Sequence, residues 1–178
     1  MPRSQTWQPG LMLLYAELDM RTQCQAEFDS LPWHRLSTAP SGAATMTVVM
    51  FAAEACCYLG DAARAAQLYP YLKGYASANL VADTPGPNLG AADRVLGNLA
   101  TVMAQWELAE KHYEAALVHD RKSGARVWLT HSRYDYAVML QRRAQPGDAD
   151  RARALLSDAL IESTALGMDA LTPRIKAL

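Results

Sequence analysis

Lysine is scarce in this sequence: Lys73, Lys111, Lys122 and Lys176 are the only four. The arginines are scattered among Asp and Glu, and the formal net charge is -1. Phosphate recognition needs clustered cations, so nothing favours direct nucleic-acid binding or an anionic membrane. The three cysteines, Cys24, Cys56 and Cys57, form no CxxC pair. Cys56 and Cys57 diverge by about 100° if helical, too far to bridge, which points to reduced thiols packed in a core. The opening MPRSQTWQPG lacks the apolar region of a signal peptide. The most apolar run, Thr45 to Ala53, stops at Glu54 and is too short to cross a bilayer. A cytoplasmic location is the expectation.

Catalytic signatures are missing as well. Ser157 and Ser163 have no nucleophile-elbow context. The loop Gly86–Gly90 lacks the Lys and Ser/Thr of a phosphate cradle. His112 and His119 lie seven residues apart with no converging ligand spacing, so they predict a solvated helix face rather than a metal site. Glu107, Glu110 and Glu114 recur near Lys111 as a charged outer face. The expectation is a chain that is not an enzyme and that uses no cofactor or metal.

What is present is apolar residue at helical spacing. Of 178 residues, 51% are hydrophobic and 20% charged, enough apolar surface for one sizeable core. Residues 1–10 form a polar N-terminal segment and residues 11–178 a single helical domain. Leu11, Leu14, Tyr15 and Leu18 share one helix face; Cys24, Phe28 and Leu31 share another. Pro32 and the Pro40-Ser41-Gly42 cluster mark breaks, with a single turn at Trp33–Leu36 between them. A helix over 43–59 ends at Gly60, and Asp61 caps the next. That helix contains Pro70, which predicts a kink or a new turn. Residues 79–90, with two prolines and two glycines, predict an irregular loop. Helices follow over 96–103, 106–122 and 125–143. A final long helix is capped by Asp148 or Asp150 and stopped by Gly167, with one short helix after Met168.

The second helix of each pair carries a repeat. Cys24, Ala65, Ala109 and Ala152 recur 41, 44 and 43 residues apart. Each is followed at plus four by Phe28, Tyr69, Tyr113 or Leu156, and at plus seven by Leu31, Leu72, Ala116 or Ala159. A helix hairpin repeated at this spacing buries its apolar face by stacking on its neighbours. The fold class expected is all-α: an α-solenoid of about four antiparallel helix pairs plus a short C-terminal helix.

Gln105-Trp106-Glu107-Leu108-Ala109, with Tyr113 and Ala116, resembles the second half of a tetratricopeptide repeat; Gly60-Asp61 with Ala65 and Tyr69 matches more loosely. The repeats are longer than the roughly 34 residues of that motif, so the likeness is to a divergent tetratricopeptide-like domain. LGDAARAAQLYPYL (59–72), NLGAADRVLGNLA (88–100), WELAEKHYEAALVHDRKSGARVWLTHSRYDYAVML (106–140) and PGDADRARALLSDALIESTALGM (146–168) further resemble the C-terminal repeat region of bacterial LuxR-type and AAA-ATPase-coupled signalling regulators. That resemblance implies a right-handed superhelix and a regulatory setting in signalling or transcription. The sequence itself carries no Walker A loop, helix-turn-helix, cyclase or kinase motif.

Stacked hairpins create a concave groove. Tyr71, Tyr75, Trp128 and Tyr134, within a wider set that includes Tyr69 and Tyr136, either pack the core or line that groove. Arg126, Arg133, Arg142 and Arg143 on one helix are further candidates. Arg133 stands out because similar repeats often carry arginine there, and a structural ion pair accounts for it equally. The expected function is a non-catalytic protein–protein interaction or regulatory module; the alternative is a domain sensing a small effector in its groove. The expected partner is another protein or a second copy of the chain, as a homodimer through an uncovered end of the stack.

Overall fold

Left-handed residues punctuate the chain. Asp19, Gly60, Ala104, Gly124, Ala144 and Gly167 have φ between 53° and 75°, and each sits where a helix stops. At five of these stops the next residue's N–H reaches back to a carbonyl five positions earlier. The pairs are Met20 to Tyr15, Asp61 to Cys56, Gln105 to Ala100, Ala125 to Asp120 and Met168 to Ser163, at 2.8–3.2 Å. This closure satisfies orphan carbonyls and reverses the chain within three residues.

The computed structural model describes residues 8–33, 43–81 and 88–178. It is mostly helical. The helices are α1 (Gln8–Glu17), α2 (Arg21–Asp29), α3 (Ala43–Leu59), α4 (Ala62–Lys73), α5 (Ala92–Val102), α6 (Trp106–Lys122), α7 (Arg126–Arg143), α8 (Asp148–Ala165) and α9 (Leu171–Lys176). α1 begins at Gln8, inside the expected polar segment, with Pro9 in its first turn where a missing N–H costs nothing. α4 is continuous through the exposed Pro70, and Asp61 caps it by accepting from Arg64 N–H at 2.9 Å. The expected turn beyond Trp33, the break at Pro40-Ser41-Gly42 and most of residues 1–10 lie outside the described residues, as do His34, Gly86 and Pro87. Among the described residues no helix is long and apolar enough to cross a membrane.

Two expectations are corrected. Residues 79–90 are not all irregular: β1 (Asn79–Val81) pairs antiparallel with β2 (Asn88–Ala91), Asn79 opposite Ala91 and Val81 opposite Asn88. The strands are too short to show alternation, and one buried side chain, Leu80, anchors β1. Gly90 (φ 88°) permits this course, because its missing side chain leaves room for the Trp128 ring. Asp148 and Asp150 do not cap α8. Gly147 holds that position, Asp148 receives Arg143 and the Gln145 N–H, and Asp150 pairs with exposed Arg153.

Consecutive helices pack in pairs: α1 on α2, α3 on α4, α5 on α6, α7 on α8, with α9 against α8. The first helices also touch in series, α1 with α3, α3 with α5 and α5 with α7. The repeat anchors occupy equivalent places. Cys24, Ala65 and Ala109 are fully buried, and each donates its N–H to the residue preceding its helix, closing the first turn. Ala152, shifted by one position, is buried likewise.

At Gly97 α5 lies close against the Tyr113 ring of α6. A Cβ there would lie 3.0 Å from the Tyr113 ring. That ring is stacked on Tyr136, with centroids 5.3 Å apart, and its hydroxyl donates to Asn98 at 2.6 Å, so it cannot retreat. Gly97→Ala gains about 1 kcal/mol of helix propensity and loses about 1–3 kcal/mol to overpacking. The expected outcome is a lower urea midpoint than wild type; a higher midpoint contradicts the close approach.

Candidate functional site

The first helices turn one face toward the second helices and leave the opposite face to a groove. On α3 that face is Glu54, Cys57 and Tyr58; on α5 it is Asn98, Thr101 and Val102; on α7 it is Asp135, Val138 and Arg142. These are three- and four-residue steps, which stack side chains along one side of a helix. α1 adds Leu13, Ala16 and Glu17, and α9 adds Arg174. Together they enclose about 860 Å³, within the usual range of ligand pockets. Arg174 Nη2 lies 3.1 Å from a Glu17 carboxylate oxygen, joining the first helix to the last across the groove.

A buried polar network underlies the floor. Arg94, on α5, is 6% exposed and pairs with Glu54 of α3 and with Asp135 of α7, the latter at 2.8 Å. Burial works against the guanidinium charge, but the two carboxylates outweigh it and hold the Arg94 pKa above the usual arginine value. Asn98 donates to Asp135 at 3.2 Å and accepts from the Tyr113 hydroxyl. Thr101 donates to the Gly97 carbonyl at 2.8 Å. Burial pushes the Cys57 thiol well up, and Glu54 and Asp135 push it further, so it stays protonated. Burial and Asp135 likewise raise the Tyr134 hydroxyl.

A second cluster lies away from the groove. His112 is buried, contrary to its expected place on a solvated face. Its Nδ1 lies 2.7 Å from Asp93 and its Nε2 2.7 Å from the Tyr69 hydroxyl. The ring thus bridges the Asp93 carboxylate and the Tyr69 hydroxyl through its two nitrogens. Burial raises the Asp93 pKa, but the His112 hydrogen bond and the Ser77 N–H, at 2.6 Å, outweigh it and bring the carboxyl below its ordinary value. Burial, and after it Asp93, raises the Tyr69 hydroxyl. The trio ties α4, α5 and α6 together. Among the described residues no group of three or more His, Cys, Asp or Glu side chains is placed to hold a metal.

The residues singled out from the sequence disperse. Tyr134 and Arg142 line the groove. Tyr71 and Tyr75 pack, half-buried, on the core under α1–α5. Trp128 lies beneath Gly90, with the Arg94 guanidinium 5.5 Å from its ring. Arg126 pairs with Glu162, Arg133 with Asp158 at 3.2 Å, and Arg143 with Glu110 and Asp148. Glu54, Arg94, Asn98 and Asp135 escaped sequence reasoning. Their signal was spacing: Arg94 stands 40 residues from Glu54 and 41 from Asp135, close to one repeat in each direction. No family model describes this chain, and no curated protein or solved structure matches it.

Two of the buried aspartates, Asp93 and Asp120, titrate with opposite signs. Asp93, lowered in the fold, adds stability that is complete above about pH 4 and lost as pH falls through its lowered value. Asp120 is raised, mainly by burial, so its contribution is present below about pH 4 and lost as pH rises through the raised value. In urea unfolding measured across pH, Asp93→Asn flattens the acid limb and Asp120→Asn steepens it. The reverse pair of effects contradicts these assignments.

Proposed function

We propose that this chain is a non-catalytic regulatory recognition module, a divergent tetratricopeptide-like solenoid of about four helix pairs that reads its ligand in the concave groove. The observation that carries the reading is the groove itself, walled by one face each of α1, α3, α5 and α7. Side-chain contacts at about one repeat support the stacking: Tyr58 to Asp19, Tyr69 to His112, His119 to Asn79 and Arg151 to Glu110 span 39 to 43 residues. A stack of this kind presents a rigid curved surface without chemistry of its own. A cytoplasmic setting in bacterial signalling or transcription regulation belongs to the same reading, on the likeness of the repeat segments to those regulators.

Of the two occupants, a small effector has the specific observation in its favour. The Glu17–Arg174 bridge bounds the groove at a volume suited to a small molecule. A protein partner or a second copy then meets the outside of the stack, where Leu14 stands half-exposed on α1.

Val138 lines the groove without joining the polar network, so Val138→Trp fills the space and leaves the fold intact. Affinity selection of metabolite and peptide libraries on wild type and Val138→Trp side by side tests the reading. Ligands retained by the first and lost by the second are expected; a library in which nothing distinguishes the two proteins contradicts it. In light scattering the chain is expected as a dimer that Leu14→Lys returns to monomer, and a strictly monomeric wild type contradicts self-association.

A further inference from the structure

The groove floor has its hydroxyl protons committed. Tyr113 donates to Asn98, Thr101 to the Gly97 carbonyl, and the Asn98 amide to Asp135. Two carboxylate oxygens that face the cavity remain uncommitted. Glu54 meets Arg94 through Oε1 and Asp135 through Oδ2. Glu54 Oε2 and Asp135 Oδ1 make no hydrogen bond among the described residues, and both side chains, about one-fifth exposed, line the cavity. One guanidinium therefore answers two carboxylates, and a single negative charge remains on the floor.

The remaining cations do not cancel it. Arg174 is engaged by Glu17. Arg142 is exposed and two helical turns beyond Asp135, about 10 Å along α7. Asp19, also on the groove wall, adds a carboxylate whose Oδ1 accepts from Tyr58 at 2.7 Å. Burial, and after it these carboxylates, push the Cys57 thiol and the Tyr134 hydroxyl up. Tyr134 offers an aromatic ring on the same wall, a surface on which organic cations rest.

Resting on the groove as recognition surface, we propose that its ligand is a small organic cation, with an ammonium or guanidinium group seated against the free oxygens of Glu54 and Asp135 and an apolar body along Val138 and Val102. The group donates hydrogen bonds to those two oxygens and supplies the missing positive charge. The Glu17–Arg174 bridge joins two walls of the groove.

Calorimetric titration of the full chain at neutral pH, with agmatine, spermidine and phenethylamine as cations, 3-phenylpropionate as the anionic control and a capped lysine tripeptide as the peptide control, tests this. Saturable binding of at least one small cation is expected, weakened by salt, reduced roughly tenfold or more in Asp135→Asn or Glu54→Gln and abolished in Val138→Trp, with no binding of 3-phenylpropionate. Because a floor variant can disturb Arg94, Val138→Trp and the anionic control decide the matter if either floor variant fails to fold. Binding of 3-phenylpropionate as tight as that of phenethylamine, and lost in Val138→Trp, overturns the cation and leaves the groove reading standing. Binding of the lysine peptide alone overturns the small ligand. No cation binding that depends on Val138 overturns this inference, and the broader reading falls with it only if the library selection is equally silent.

Discussion

A single buried guanidinium fixes the arrangement of this molecule. Arg94 sits within α5, and its partners are one carboxylate from α3 and one from α7. Taking such a charge out of water costs several kcal/mol, and the cost is met only with both carboxylates held in place. Removing one member of a buried pair typically costs about 3–5 kcal/mol, because the other is left stranded. Three helices that belong to three different hairpins are thereby set in one register. Apolar contacts alone would tolerate sliding, since Ala, Leu and Val side chains grip without direction. The hydrogen-bonded chain from Asp135 through Asn98 to Tyr113 extends that register to α6.

The same residues explain why the fold has a groove. Within each pair, small residues such as Ala65, Ala109 and Gly97 let the helices approach while Phe28 and Tyr113 fill the space between them. The opposite face of each first helix is thereby left unburied, and polar side chains can occupy it. Tyr113 belongs to both layers: its ring lies in the core against Tyr136 and its hydroxyl reaches the groove floor. A ligand touching that floor would press on groups that also hold α3, α5 and α7 together, which is the physical route from binding to a change in the stack.

Local chemistry was legible in the sequence where a residue's role depends on its immediate neighbours. The helix over 43–59, the stop at Gly60 and the cap at Asp61 follow from a few residues of context, and Cys24, Ala65 and Ala109 take the same place in their helices. The hairpin at Asn79–Ala91 was not legible, because three- and four-residue strands carry no period and its tightest constraint comes from the distant Trp128. The groove was half legible. Tyr134 and Arg142 belong to one helix, whereas Glu54, Arg94 and Asp135 each resemble an ordinary surface charge until the hairpins stack. The charges of the first helices recur at nearly the same spacing as the small residues of the second, and His112 owes its burial to Asp93 and Tyr69, which are distant in sequence.

Amide hydrogen exchange of wild type against Arg94→Met tests the central claim most directly. If one guanidinium sets the register of three hairpins, protection falls together in α3, α5 and α7, while α8 and α9 keep theirs. Loss of protection confined to α5, with α3 and α7 unchanged, would contradict it.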